Sequence, residues 1–551
     1  MVARERVARA SISTVSGLFV SQVRQHPDRI AIEDWGSSRA GGSKAAIPEP
    51  IRRFSYRQLE QRMRALAAAL AGSGVSRGDR VALLSENRAE YLEVFLAAAS
   101  LGASVACQNW RLSATELSHC IRLVEPRLML VSARYAERLP SNAPQRWVFG
   151  AEYEALLARP APDEGRALEP DVVTPDILTP DIVTPEVTPE VTPEDALLIL
   201  YTSGTTGLPK GAVLSHRAEI VRNLVVRAEF GIAPEDTFAA WSPLYHMGAA
   251  ECSLGALMSG GKVITLDGFD AARLGDVVEQ EQLGWLLLMP GMVGSFAAEL
   301  ERRSIQPRGV KLCGVMADLV PPAEIARITR LLGAPYANTF GATETGCPPC
   351  SSNRIPIGVA PTRLSKQQSP FCEVKLVDAD EREVPQGTPG ELCIRGPTLF
   401  SGYFRNDETN AQEFRGGWFH MGDVFVRNPD GSLDFVDRVK YLIKSGGENI
   451  YPAEIERVIL QDERVLDCAV VRKADPKWGE VPVAFVARHT EALEAADIYR
   501  RCRRDLAGYK QPKEIYFIAA SELPRSASGK IQRHELEKRL VAGPGDKRAP
   551  A

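Results

Sequence analysis

The sequence predicts an α/β fold, with a large N-terminal domain of α/β sheets carrying a β-rich subdomain and a small α+β C-terminal domain. Three observations predict it. Apolar runs of strand length alternate with runs of helical period through residues 54–107, and again from Leu197 past residue 350. That alternation is the rhythm of a parallel sheet with covering helices. Beyond about residue 350 the texture turns strand-rich, and from about 438 helices and strands mix in a shorter unit. The expected domains are therefore 1–437 and 438–551. A chain of 551 residues exceeds one ordinary domain of ~150 residues, so several structural units are expected.

Taken in order, the opening "MVARERVARASISTVSG" has Arg and Ser but no apolar core of signal-peptide length, and reads as a frayed terminus. "FSYRQLEQRMRALAAALAG" at 54–72 reads as a short strand followed by an amphipathic helix that stops at Gly72. "GDRVALLSENRAEYLEVFLAAASLGASVACQN" then repeats strand, loop, helix and strand. From 160 to 194 the chain changes to Pro, Thr, Asp, Glu and Val. Proline at every fourth or fifth position there forbids a helix, so the stretch is expected to be an extended linker or surface excursion. In the strand-rich part, "NPDG" at 428–431 marks a turn between two strands. Further on, a helix is expected from near Pro452, a strand over "LDCAVVRKAD", and a disordered tail over "VAGPGDKRAPA".

Composition narrows the function classes. A hydrophobic fraction of 44% and a charged fraction of 25% are those of a soluble globular protein. A net charge of −4 gives no electrostatic ground for nucleic acid or anionic membrane as partner. No apolar run approaches the ~18 residues of a membrane span, since Pro290 interrupts "LGWLLLMPGMVG". Ten cysteines without a pairing framework suit a reducing compartment, hence the cytoplasm. Cys347 and Cys350 in "GCPPC" have the CxxC form, but no second pair or suitably spaced histidines complete a zinc site. They are read as structural.

One loop carries chemistry on its face. "YTSGTTGLPKGAVLSH" at 201–216 puts Thr202, Ser203, Thr205 and Thr206, three glycines and a lysine into one short stretch. Such a loop gathers backbone N–H groups and hydroxyl donors on one concave side, which is how phosphate is cradled. It is not a Walker loop, because Pro209 stands where a glycine is required and Gly211 follows Lys210 where Ser or Thr belongs. With "PLYH" at 243–246, "FGATE" at 340–344, "GELCIRGP" at 390–397, "WFHMGD" at 418–423, "DRVKYLIKSGGENIYPAEIE" at 437–456 and "LPRSASGK" at 523–530, the loop resembles the adenylate-forming superfamily. This superfamily includes acyl-CoA synthetases, luciferases and peptide-synthetase adenylation domains. The resemblance runs from about residue 15 to about 540 in the family's order.

The resemblance implies an ATP-dependent acyl-CoA synthetase: a carboxylate attacks the α-phosphate of ATP, pyrophosphate leaves, and the thiol of CoA displaces AMP. Thr202, Ser203, Gly204, Thr205, Thr206 and Lys210 would grip the phosphates, Glu344 would hold Mg²⁺, and Thr343 would bond the α-phosphate. Phe340 and Gly341 would lie at the adenine, Asp423 would accept from the ribose hydroxyls, and Arg438 would support it. Lys530 would bridge the substrate carboxylate and the α-phosphate, and His246 would sit at the acyl entrance. The small C-terminal domain would be mobile about a hinge at Lys440, with Gly446 and Gly447 leaving room for the pantetheine arm. Implied partners are a small-molecule carboxylic acid, ATP and CoA, and a homodimer is allowed.

Four departures from the family pattern stand out: Met421 before "GD", Phe340 for a commoner Tyr, Tyr441 after the hinge, and "CGVMADL" at 313–319 where "GGAPL" is usual. They leave open weakened ATP binding or an enzyme specialised for one half-reaction. Delivery of the adenylate to a carrier protein is a separate alternative, although the distance from "FGATE" to "GELCIRGP" leaves little room for the insertion such enzymes usually carry. The small residues of "MGAAECSLGALMSG" favour a medium-chain or bulky cyclic acid over acetate.

Overall fold

After Arg80 the stretch "RVALL" at 80–84 has only apolar side chains, and the strand it forms is buried on both faces, as a central strand of a parallel sheet must be. The computed structural model describes residues 11–36, 50–140, 143–158, 191–202, 208–446, 448–525 and 531–541. The Pro/Thr-rich stretch up to residue 190, the first ten residues and the tail from 542 lie outside them.

The chain divides into two compact units, residues 1–373 with 396–412 and residues 374–395 with 413–551. In the first, a six-stranded sheet runs in the order Arg146–Val148, Leu128–Val131, Arg80–Leu84, Ser104–Cys107, Ala196–Thr202 and Lys210–Ser215. All neighbours are parallel except the last pair, an antiparallel hairpin that encloses the Gly/Ser/Thr loop. A second sheet orders Arg52–Ser55, Ile30–Asp34, Val263–Thr265 and Phe238–Ala240, and a third Gln282–Leu286, Gly309–Cys313, Tyr336–Ala337 and Arg354–Ile355. A parallel bridge between Thr237 and Leu283 joins these two.

Local chemistry explains the helices. Ser55 and Gln58 form a reciprocal capping box at the start of helix Tyr56–Gly72, whose buried stripe is Leu59, Met63, Leu66 and Leu70. Helix Pro322–Leu332 has proline at its start and Gly333 in the left-handed conformation at its end. Its Ile325 and Ile328 join Phe296, Leu300 and Leu283 in one continuous core between helices and sheet.

The second unit contains a four-stranded sheet, Glu373–Val377, Gly390–Arg395, Phe419–Arg427 and Leu433–Arg438, with "NPDG" as the expected turn between the last two. Its other sheet orders Glu448–Ile450, Ile443–Ser445, Gly479–Arg488 and Val465–Asp475, and Glu514–Phe517 adds in parallel to Gly479–Arg488. The expected boundary at 437/438 thus falls inside this unit. The physical tie is Asp437, whose carboxylate accepts the N–H of Arg438 at 2.7 Å and that of Ala453, in helix Pro452–Ile459, at 2.7 Å. None of the ten cysteines forms a disulfide, Cys347 and Cys350 included. Among the described residues no helix is long and apolar enough to cross a membrane.

The helix that follows the loop hairpin opens on His216, which is fully buried. Its Nδ1 accepts the N–H of Val15 at 3.1 Å, a role only an unprotonated nitrogen can fill. Burial lowers its pKa to about 4. Between the ordinary histidine value of ~6.5 and that lowered value, the unfolded chain binds a proton that the folded chain refuses. Stability is therefore full above the upper limit and is lost as pH falls through the window, by about 3 kcal/mol in all. Denaturant unfolding between pH 7 and 4 is expected to show this slope in the wild-type chain and a flatter one in His216→Gln.

Candidate active site

The loop hairpin is rigid at its stem. Thr202 and Lys210 are cross-strand partners at the base of the loop. Ser203, Gly204, Thr205 and Thr206 lie outside the described residues. The hydroxyl of Tyr201 donates to the carbonyl of Cys120 at 2.9 Å and accepts from Gln108 Nε2 at 3.0 Å. On the opposite strand, His119 Nε2 lies 3.1 Å from the Pro209 carbonyl.

Residues 398–404 join this stem to the "FGATE" turn. Tyr403 bridges Ala212 in antiparallel fashion, Ser401 N donates to Val213 O at 2.8 Å, and Phe404 N donates to Gly211 O at 2.8 Å. The same segment then reaches Glu344 twice. Phe400 N donates to its carbonyl at 2.9 Å, and the Tyr403 hydroxyl donates to its Oε1 at 2.8 Å. The Tyr403 ring also lies under Lys210 Nζ, 4.9 Å from centroid to nitrogen. Tyr403 therefore brings two of the expected residues together, and sequence reasoning missed it. Its only signal was an aromatic in a glycine-containing stretch, "FSGYF", which has no periodicity.

Thr343 and Glu344 sit in a tight turn between strands Phe340–Ala342 and Gly346–Cys350. Thr345 closes it, its Oγ1 accepting from Ala342 N at 3.0 Å. At Gly341 a Cβ would fall 1.9 Å from the Gly346 carbonyl oxygen, so the two strands approach too closely for any side chain. Phe340, beside it, is half-buried.

Beneath this turn lies Arg222, 1% exposed and the largest fully buried side chain among the described residues. Its Nε donates to Thr398 O at 2.7 Å, and its Nη1 donates to Thr343 O at 3.1 Å and to the carboxylate of Glu251. Glu219 is buried alongside, its Oε1 accepting from Asn223 at 2.7 Å. Burial holds the Glu219 carboxyl well above the usual carboxylate range, and the neighbouring Glu251 carboxylate adds to the rise. Burial raises Glu251 too, and Arg222 opposes that rise.

The unusual "CGVMADL" wall is held from behind. A Cβ at Gly314 would fall 2.0 Å from Tyr336 Cζ, and the Tyr336 hydroxyl donates to Val315 O at 3.0 Å. Asp318 pairs at 2.6 Å with Lys366, a fully buried lysine that also donates to Asn338 Oδ1 at 2.8 Å. His246 caps helix Met247–Met258 with its ring 4.5 Å from that of Tyr245. Asn87 fixes the preceding turn, donating to Ala240 O and Ser242 O and accepting from Leu244 N at 2.9 Å. Neither Lys366 nor Asn87 carries a recognisable sequence signal.

In the second unit, Asp423 and Arg438 face each other across adjacent strands, and Arg438 Nε donates to Asp423 Oδ1 at 2.9 Å. The Asp423 side chain is 2% exposed. Glu391 holds the neighbouring backbone, accepting from Gly422 N at 3.1 Å. Lys440 lies exposed in the short turn Val439–Tyr441, its Nζ 5.0 Å from the Tyr441 ring. At Gly446, φ is +59°, and a Cβ would fall 2.7 Å from Trp478 Cε3. The close approach at that glycine is thus made by the Trp478 indole. Gly447 and Lys530 lie outside the described residues.

The donor set suits a hard divalent cation at Glu344: a half-buried carboxylate oriented by a phenol, next to a threonine. A lysine and hydroxyl-bearing stem beside it suit phosphate. Gly341→Ala is expected to force the Glu344 turn open and weaken magnesium-dependent ATP binding at least tenfold, checked by calorimetric titration.

Both parts of the chain are similar to known proteins. Residues 19–404 match the family described as AMP-binding enzyme, and residues 454–530 match the AMP-binding enzyme C-terminal domain. The chain is 33% identical over 530 residues to the indoleacetate–CoA ligase of Aromatoleum aromaticum, covering 93% of this chain and 98% of that one. It is 33% identical over 496 residues to a feruloyl-CoA synthase of Amycolatopsis, covering 88% and 94%. Among solved structures, a fatty acyl CoA synthetase of Mycobacterium tuberculosis is 25% identical with a TM-score of 0.71, covering 96% of this chain and 98% of that one. The o-succinylbenzoate CoA synthetase of Bacillus subtilis, in complex with its acyl-adenylate intermediate, shares the fold with a TM-score of 0.76 at 24% identity, covering 97% and 99%. With both of the family's domains matched in order along one chain, this protein belongs to the AMP-binding enzymes.

Proposed function

We propose that this enzyme is an ATP-dependent acyl-CoA synthetase acting on a bulky cyclic or medium-chain carboxylic acid. It is an acid–thiol ligase that makes an acyl-AMP with release of pyrophosphate and passes the acyl group to the thiol of CoA. The observation that carries the residue assignment is the Tyr403 contact, which holds the Glu344 carboxylate at its hydroxyl and the Lys210 ammonium over its ring.

In this reading Thr202, Lys210 and the loop between them bind the β- and γ-phosphates, and Thr343 bonds the α-phosphate. Glu344 would hold magnesium, which when bound with ATP neutralises charge on the phosphate oxygens. Phe340 and Gly341 form the adenine side. Asp423 accepts from the ribose hydroxyls with Arg438 in support, a role suited to an ionised carboxylate. Lys530 places a cation between the carboxylate and the α-phosphate. After adenylation the C-terminal domain turns about Lys440, and the Gly446–Gly447 pair lies along the thiol path. The reading also carries a cytoplasmic location, in keeping with ten cysteines of which none forms a disulfide, and a homodimer.

The acid class is supported by two observations. The relatives are named for indoleacetate, ferulate and 2-succinylbenzoate, three acids built on aromatic rings. Glu251, the acidic residue nearest the "PLYH" motif on its helix, is engaged by Arg222, which argues against an amino-acid substrate whose ammonium would need that carboxylate.

A panel of acids with ATP, Mg²⁺ and CoA, read by mass spectrometry, tests the reading. Aryl and arylalkyl acids are expected to exceed acetate in kcat/KM by at least ~10-fold, since several buried methylenes or a ring contribute more than ~1.4 kcal/mol. A preference for acetate would refute the acid class, and AMP release without thioester would point to a carrier-protein acceptor. Lys530→Ala is expected to slow adenylation by ~100-fold or more while leaving thioester formation from supplied acyl-adenylate near wild type. Equal loss of both steps would contradict the role given to Lys530.

A further inference from the structure

We infer that Arg222, paired with Glu251, is the positioning residue that sets the Thr343–Glu344 turn for adenylation and couples it to the helix behind His246. The inference rests on the proposed function for what the turn does, and on geometry for how it is held. Three chain segments far apart in sequence end on one guanidinium. Nη1 meets the Thr343 carbonyl and the Glu251 carboxylate, and Nε meets the Thr398 carbonyl. Thr343 and Glu344 are the turn itself, Thr398 begins the segment whose Phe400 and Tyr403 bond Glu344, and Glu251 lies in helix Met247–Met258. The fit is tight, because a Cβ at Gly346 would fall 2.9 Å from Arg222 Cδ and Cγ.

A purely structural role would be an odd use of these residues. A buried ion pair must recover the desolvation of both partners, and apolar side chains of similar volume are often equally stable in its place. What an apolar replacement does not reproduce is direction. A planar guanidinium donates along fixed vectors to several acceptors at once, which a lysine ammonium on a flexible stem does not match. Glu219 reinforces the arrangement: its carboxyl is bonded to Asn223, which leaves Glu251 as the carboxylate that Arg222 pairs with.

The test compares the double variant Arg222→Met/Glu251→Met with Arg222→Lys and Glu251→Gln, all in the full chain. The double variant is expected to melt close to wild type, yet to lose ~10- to 100-fold in kcat for acid-dependent ATP–pyrophosphate exchange, the range typical of second-layer partners. Its KM for the acid and its thioester formation from supplied acyl-adenylate are expected to change little. Arg222→Lys should behave like the double variant in kcat, and Glu251→Gln, which keeps an acceptor oxygen but leaves the buried guanidinium without its carboxylate, should lose kcat to a similar extent and melt lower than the double variant. Hydrogen exchange supplies a readout independent of the acid: the amides of Thr345 and Phe400 should exchange faster in the double variant, with residues 80–84 unchanged. Wild-type exchange at those amides, an Arg222→Lys enzyme of full activity, or equal loss of both half-reactions would overturn the inference. If the double variant does not fold, Arg222→Lys and Glu251→Gln decide it by the same readouts. Absence of adenylation by the wild-type enzyme with every acid would defeat the functional reading, leaving hydrogen exchange to decide the positioning role.

Discussion

The free edge of strand Lys210–Ser215 is covered by residues 401–404, and most of the first unit's chemistry hangs on that pairing. An uncovered sheet edge would leave backbone donors and acceptors to water and the loop stem free to splay. Covering it brings Tyr403 over the stem, where one phenol lies under Lys210 and donates to Glu344. The loop stem and the Glu344 turn, proposed as the phosphate end and the cation end of the site, thus share a single backbone support. Preorganisation of this kind matters in phosphoryl and adenylyl transfer, where the protein contributes position and electrostatics more than covalent chemistry.

The second recurring theme is buried charge used for direction. Arg222 beneath the Thr343 turn and Lys366 behind the "CGVMADL" wall are each removed from water, and each meets a carboxylate and at least one further oxygen. An isolated charge in such places would be prohibitive. With partners in place it acts as a rigid multi-pronged fastener for short loops that have little apolar surface to hold them. In the second unit Glu391 does similar work from the other sign, fixing Gly422 just before Asp423.

Much of the fold was legible because its signals are local. The helix 56–72, the "NPDG" turn and the helix from Pro452 follow from periodicity and turn residues. Asp423 and Arg438 were legible as motif members, and they pair directly across two strands. The division into compact units was less so. The strand-rich stretch reads as a continuation of what precedes it, whereas Asp437 binds it to the helix that follows.

By itself the sequence determined the layered α/β class and the family, and it offered the charged and hydroxyl residues proposed for the reaction, since these depend on local spacing and residue type. Only the tertiary structure decided which residues hold them. Tyr403, Arg222, Lys366 and Asn87 stand 59, 121, 28 and 153 positions from partners they bond. No local pattern encodes a contact across such distances. It arises when chain segments, folded for their own apolar faces, leave buried polar groups that must find each other in place of water.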